Sequence, residues 1–398
     1  MKKEISFTSN LDNPKKINCF IKQLNEHIES GDREVFIRFP DTKKVFPNTC
    51  VPIAGIIEYL KTNNILDINF INTNQYLKNI SIEQPLRVSE NKLLARKDCL
   101  NKIWRFDSIE DAYILVDSFV QELSQVIVCE KGVLDGFAWS INEVLDNVIQ
   151  HSGKNYGYVM GQVHKRRKNF VFCIYDTGMG IFRSLEHSVH KPKKPTEALK
   201  LAVREKVTRD KKIGQGNGLW GLSQIIKENT GILNITSNQA SYKQTNLSVK
   251  TYQNNQDLIG MTGCSVDFQL NYEKEISISK ALGGYEYVNV QLENMEDGTG
   301  NISIKLQEKN TGVGTRKSGE KIRNELINIY NQTGKKIILD FSNINIISSS
   351  FADELIGKLV VKYSFYGFNN LFSLKNMSPT VQTIVQRSVA QRMMESYE

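Results

Sequence analysis

Glu143, Asn147 and His151 recur every four residues, so on a helix they share one stripe. Leu134, Phe137, Ile141, Leu145 and Val148 recur at three- and four-residue steps among them, which predicts an amphipathic helix over 130–151. A carboxylate then stands one turn from an amide. The carboxylate can orient or deprotonate an attacking water or hydroxyl. The amide oxygen is a hard ligand suited to Mg²⁺, which usually keeps waters and substrate phosphates as its other ligands. Taken alone, the segment reads equally well as the solvated face of an ordinary helix.

A second stretch is Asp176-Thr177-Gly178-Met179-Gly180. It follows two apolar, β-branched and aromatic runs, Asn155–Val163 and Phe170–Tyr175, separated by Arg166-Arg167-Lys168-Asn169. That pattern predicts a β-hairpin whose second strand ends at Asp176. Glycine at 178 and 180 lets a ligand approach the backbone closely. An ionised carboxylate only accepts hydrogen bonds, which suits an exocyclic amine such as that of adenine. Alone, this too reads as a plain Asp-x-Gly turn.

The third stretch is Gly214-Gln215-Gly216-Asn217-Gly218-Leu219-Trp220-Gly221-Leu222, running into the apolar positions Ile225 and Ile226. A glycine-rich loop entering a helix N-terminus offers backbone N–H groups to an anion. No Lys-Ser/Thr pair follows the last glycine and no strand signal precedes the first, so neither the Walker loop nor a dinucleotide motif fits. Between the second and third stretches, residues 181–213 hold ten Lys/Arg against four Asp/Glu, 10 − 4 = +6 of a whole-chain net charge of +8. This basic run, which includes Lys191, Lys193, Lys194, Arg204, Lys206, Arg209, Lys211 and Lys212, suits a mobile lid over a triphosphate. No aromatic residues interleave with it, which argues against nucleic-acid binding. A solvated charged loop is the plainer alternative.

All three stretches lie within about eighty residues, in an order that supplies each part of ATP chemistry. On these residues the chain resembles the GHKL, or Bergerat-fold, ATP-binding family. Glu143, Asn147 and His151 match its N box. Asp176, Gly178 and Gly180 match its first glycine box, and Gly214, Gly216, Gly218 and Leu219 its second. Gly231-Ile232-Leu233-Asn234-Ile235-Thr236-Ser237 looks like the strand that follows. Thr262-Gly263-Cys264-Ser265-Val266 looks like the closing strand, with Cys264 in place of the usual Thr. The resemblance covers 100–272 and implies a two-layer sandwich, a mixed sheet with helices on one face. It implies Mg²⁺ and ATP as cofactors, with Glu143 as catalytic base, Asn147 on Mg²⁺ and Asp176 on adenine. Gly178, Gly180, Lys212, Gly214, Gly216, Asn217, Gly218 and Leu219 are expected to complete the nucleotide site. Histidine kinases share this pocket, but the one preceding histidine, His27, lacks the flanking residues of a phosphoacceptor and reads as a surface helix residue.

Residues 275–398 form a further unit. Ile322, Leu326 and Ile329 predict a helix over 318–330, which Gly334 stops. Lys336–Phe341 is a buried strand, and Ser348-Ser349-Ser350 precedes a helix carrying Phe351, Leu355, Ile356 and Leu359. Serine there is a good N-cap. The run Ile338-Leu339-Asp340-Phe341…Ser348-Ser349-Ser350-Phe351-Ala352-Asp353-Glu354-Leu355 resembles STAS domains, which in anti-sigma-factor antagonists carry a phosphorylatable serine at this corner. Ser348 stands where the family has Asp and Phe351 where it has Gly, so Ser349 and then Ser350 are candidate phosphoacceptors only. Residues 1–85 echo this order: a helical pattern over 20–28, a strand at 35–39, Pro47-Asn48-Thr49 in the place of the serines, the helix Ile53–Leu60 and a strand at 65–71. They read either as a degenerate STAS-like unit with a docking role or as a generic αβ module.

The fold class expected is therefore α/β (α+β), a nucleotide-binding core at 100–272 flanked by STAS-like αβ units at 1–85 and 275–398. With 398 residues, 40% hydrophobic content and mixed charge, the chain suits two or three globular domains. No apolar run approaches the roughly twenty residues of a membrane span, and Met1–Asn10 lacks a signal-peptide core. Six scattered cysteines without C-x-x-C spacing suit reduced thiols in a cytoplasm and no zinc site. The function expected is an ATP-driven conformational switch with ATPase activity acting through STAS-like domains. A serine kinase of the anti-sigma type, acting in cis or in trans, is the alternative. Protein partners or a homodimer are expected, with neither membrane nor nucleic acid.

Overall fold

The computed structural model of the chain describes residues 3–7, 10–39, 44–207, 217–253, 257–284, 289–309 and 311–395. The protein is an α/β chain that divides into two compact units. One holds Met1–Val120, Gly136–Asn271 and Ile276–Tyr285; the other holds Gln121–Asp135, Tyr272–Glu275 and Glu286–Glu398.

The first unit opens with β1 (Glu4–Ser6), α1 (Lys15–Glu29), β2 (Glu34–Arg38), α2 (Pro47–Thr62) and β3 (Asp67–Ile71). These strands form a parallel sheet in the order β1-β2-β3, the βαβ topology expected for this segment. Strand β1 was not legible in sequence, because three residues are too few to show a period. His27 lies on α1 and its Nδ1 pairs with Asp32 Oδ2 at 2.8 Å. Helix α2 starts earlier than its apolar run suggests, because Pro47 takes the first helical position, where a missing N–H costs nothing.

An eight-stranded sheet follows: β4 (Leu86–Arg87), β5 (Trp104–Phe106), β6 (Gly157–His164), β7 (Asn169–Asp176), β8 (Ile232–Ser237), β9 (Ala240–Gln244), β10 (Val249–Gln253) and β11 (Cys264–Asn271). Their spatial order is β10-β9-β8-β11-β7-β6-β5-β4. Only β4 and β5 pair in parallel. The hairpin expected around Arg166–Asn169 is β6–β7, turning through left-handed Lys168 (φ +55°). Helices α3 (Ile109–Val126) and α4 (Val133–His151) meet one face of the sheet, where Phe119 and Phe137 pack on Phe172 and Phe170. Helix α2 covers the other face at β6 and β7, so the first module adds a layer there beyond the two of the expected sandwich. The fit is tight at Gly55, where a Cβ would stand 2.6 Å from Tyr175 Cδ1 and 2.9 Å from Tyr158 Cδ2.

Beyond β7 come α5 (Gly180–Glu186), α6 (Pro195–Ala202) and α7 (Gly218–Asn229). Among the described residues, the basic segment expected to be a mobile lid thus contains helical structure, in α5 and α6. Ala198 and Leu199 of α6 are fully buried, while Lys191, Lys193, Lys194, Arg204 and Lys206 are exposed.

The second unit is built on a parallel sheet β12 (Ile302–Lys305), β13 (Ile337–Asp340) and β14 (Phe372–Lys375), with α8 (Arg316–Thr333), α9 (Lys358–Leu371) and α10 (Pro379–Glu395). Thr315 caps α8, and Gly334 ends it in the left-handed conformation (φ +65°). Buried Asn328 on α8 donates to Ser124 O and Ile127 O and accepts from Cys129 N, tying 121–135 into this unit. Among the described residues no helix is long and apolar enough to cross a membrane.

The Gly55 contact yields a stability test. Gly55→Val inserts methyls against two rings and is expected to cost about 2–3 kcal/mol in denaturant unfolding. Gly314→Ala, where a Cβ meets nothing within 4 Å, should change stability by no more than about 0.5 kcal/mol.

Candidate functional site

The α4 stripe, the end of β7, the start of α5 and the N-terminus of α7 enclose a cavity of about 360 Å³. Glu143, Asn147, His151, Asp176, Gly180, Asn217, Gly218 and Leu219 all line it, so residues from all three sequence stretches converge. Gly178 adjoins Asp176 in the same turn. Lys212, Gly214 and Gly216 lie outside the described residues.

Each position has a local cause. Asp176 ends β7, paired with Cys264 across the antiparallel β7–β11 ladder. Its Oδ1 accepts the Gly178 N–H at 2.8 Å, which folds the turn back on itself. Gly178 packs so tightly on Ser152, at the end of α4, that no side chain fits there. Met179 N donates to Ser152 O at 2.9 Å, and Thr262 Oγ1 donates to Gly178 O at 3.0 Å. Gly180 has φ +74°, a conformation that favours glycine. The first N–H groups of α5 are capped from elsewhere: Ile181 N donates to Ser237 Oγ and Phe182 N to Asn238 Oδ1, both at 2.9 Å.

The glycine at the start of α7 is required by the α4 side chains. A Cβ on Gly218 would stand 2.5 Å from Glu143 Oε2 and 3.2 Å from Asn147 Nδ2. The carboxylate, the amide and the helix N-terminus therefore meet within contact distance. One turn on, Gly221 admits the Trp139 ring of α4.

Electrostatics divide the carboxylates. Asp176 is 5% exposed, and burial raises its pKa to about 7 although the Gly178 N–H pulls it down. Glu143 is raised by burial and then by Asp146, which is itself raised by burial. A carboxylate tuned upward is better matched to accepting a proton near neutral pH. Among the described residues, no cluster of three or more His, Cys, Asp or Glu forms a metal cage. An amide side chain beside a helix N-terminus suits a hard cation held mainly by a ligand's phosphates instead.

Sequence reasoning did not single out Gln150, Ser152, Ser184 and Val207, which also line the cavity, or Ser237 and Asn238, which cap α5. Their roles depend on a chain fold-back that no local spacing encodes.

In the second unit, Ser348 Oγ accepts the Phe351 N–H at 3.0 Å as an N-cap and contacts Ser350 Oγ at 3.1 Å. Ser349 is exposed. Behind this corner, Glu354 is 3% exposed and ion-paired with Arg323, Lys358 and Arg316. Residues 318–382 match the family described as a STAS-like domain of unknown function (DUF4325). The second unit therefore contains a STAS-like domain. No curated protein matches the chain.

The Asp176 environment makes a pH prediction. The unfolded carboxyl titrates near 4, the folded one at about 7. Between these values the folded chain holds a proton that the unfolded chain has lost, so stability falls as pH rises through that window. Denaturant midpoints at pH 5 and pH 8 should show wild type losing on the order of 2–4 kcal/mol more than Asp176→Asn across the interval.

Proposed function

We propose that the first unit is a GHKL-type nucleotide site and that the protein is an ATP-driven regulatory switch acting through its STAS-like domain. The observation that carries this reading is the meeting of Glu143, Asn147 and Gly218 in the cavity that also holds buried Asp176. A carboxylate, an amide and a helix N-terminus together serve phosphate chemistry, and a recessed acid serves recognition of an amine. Mg·ATP would supply an electrophilic γ-phosphoryl group. Asp176 accepts a hydrogen bond from the adenine amine. Asn147 would offer its amide oxygen to the cation, and the first N–H groups of α7 would offer hydrogen bonds to the phosphates. Glu143 takes the proton of the attacking water, its raised pKa matched to that step. The exposed lysines of 191–206 add positive potential.

The alternative outcome is transfer to a serine, with Glu143 deprotonating the hydroxyl instead of water. The exposed hydroxyl of Ser349 at the strand-to-helix corner of the STAS-like domain favours it.

Tryptophans 139 and 220, on α4 and in the α7 start, report binding by fluorescence. Asn147→Ala and Asp176→Asn should each weaken Mg·ATP binding by about tenfold or more, equivalent to about 1.4 kcal/mol. Glu143→Gln should leave binding within about threefold and reduce phosphate release by about a hundredfold or more. Equal binding by wild type and Asp176→Asn would remove the nucleotide reading.

Intact mass and phosphosite mapping after incubation with Mg·ATP separate the two outcomes. The switch gives free phosphate and an unmodified chain. The kinase gives phosphate on Ser349 that disappears in both Glu143→Gln and Ser349→Ala.

A further inference from the structure

A second, larger cleft of about 760 Å³ lies on the opposite face of the eight-stranded sheet, between that face and the first module. Alternation along β11 separates the two sites. Cys264 and Val266 line the first cavity, while Ser265, Asp267 and Gln269 line the second. The β11–β8 register sets Asp267 beside Asn234, and the β8–β9 register sets Asn234 beside Lys243.

Asp267 is the anomaly. It is 4% exposed on a strand face where an apolar residue would cost nothing. Asn234 Nδ2 donates to its Oδ2 at 2.6 Å, and Asn48 Nδ2 donates to the same oxygen at 3.3 Å. Both amides therefore serve one oxygen, and among the described residues Oδ1 receives no hydrogen bond. Burial raises the acid to about 6, while the two amides and the nearby charge of Lys243 pull it down. A carboxylate kept this deep, held by amides from α2 and β8, and left with one oxygen toward a cleft, is set to receive a donor.

The rest of the lining narrows the donor's chemistry. A second carboxylate, Asp257, stands half-buried in the same cleft, and the Tyr175 ring forms part of the wall. Carboxylates with an aromatic face suit an ammonium or guanidinium group. Lys15 and Lys243 are exposed and line the same cleft, positive charges suited to an anionic end.

We infer that this cleft is a binding site for a small zwitterion, its ammonium or guanidinium group on Asp267 and its anionic group toward Lys15 and Lys243. The groups assigned to recognition are separate from the nucleotide site, since neither Asp267 nor Asn48 lines the first cavity.

The test is calorimetric titration of the full chain, with no nucleotide present. L-lysine, L-arginine and glycine serve as zwitterionic probes, and glycerol and erythritol as uncharged ones. At least one zwitterion should bind, and Asp267→Asn should weaken it tenfold or more. Asn48→Ala, which leaves the buried acid in place, should weaken it severalfold and decides the matter if Asp267→Asn does not fold. Absence of binding by every zwitterion overturns the proposal. So does binding that both variants leave unchanged, or polyols binding as tightly as the zwitterions.

Discussion

Strand β7 is buried on both faces from Phe170 to Asp176, and the sites on either side depend on that. Phe170 and Phe172 pack into the aromatic cluster with Phe137 and Phe268, while Cys173 and Tyr175 join the core formed with α2. A strand clamped between two layers cannot slip by one residue without exchanging its faces. Its end is therefore fixed, and Asp176 is delivered to one place. The same clamp aligns β11, whose alternate residues reach the two cavities.

The clamp also explains how polar groups survive so far inside. Asp176 meets the Gly178 N–H and Asp267 meets two amides, so each buried acid has at least one donor without being ion-paired. A fully paired acid would hold its charge and have little left to offer a ligand. A partly satisfied one stores unfavourable desolvation that a ligand's donor relieves. The turn at Ser237 and Asn238 belongs to both neighbourhoods: its side chains cap α5, whose first residue lines the first cavity, and they line the second cleft.

What was legible in sequence follows from local period. The α4 stripe, the β6–β7 hairpin, the stop at Gly334 and the Ser348 cap each have their cause within a few residues, and each lies where its spacing predicts. The STAS-like character of 318–382 was legible for the same reason, in a strand, a serine corner and an apolar helix. The covering of β6 and β7 by α2 was not legible. Gly55 reads as an ordinary helix glycine until Tyr175, far away in sequence, is seen against it. The helices within the basic segment were hidden by charge, since the few buried residues of α6 leave a faint period. The second cleft left one trace, the polar alternation Ser265, Asp267, Gln269 along β11. A strand polar at every second position faces either water or a partner, and Asn234 of β8 and Asn48 of α2 decide between them.

At the STAS-like corner, the three serines are chemically unequal although adjacent. Ser348 Oγ is committed to the Phe351 N–H, and moving it would uncap the turn that leads into Asp353–Gly357. Ser350 Oγ is held against Ser348 and is half-buried. Ser349 alone has an exposed hydroxyl that caps nothing. A dianion placed there would sit in the first turn, where the helix field favours negative charge. It would not displace a hydrogen bond that the fold uses. Of the three serines, Ser349 is therefore the one whose exposed side chain at the capped helix start the fold leaves free.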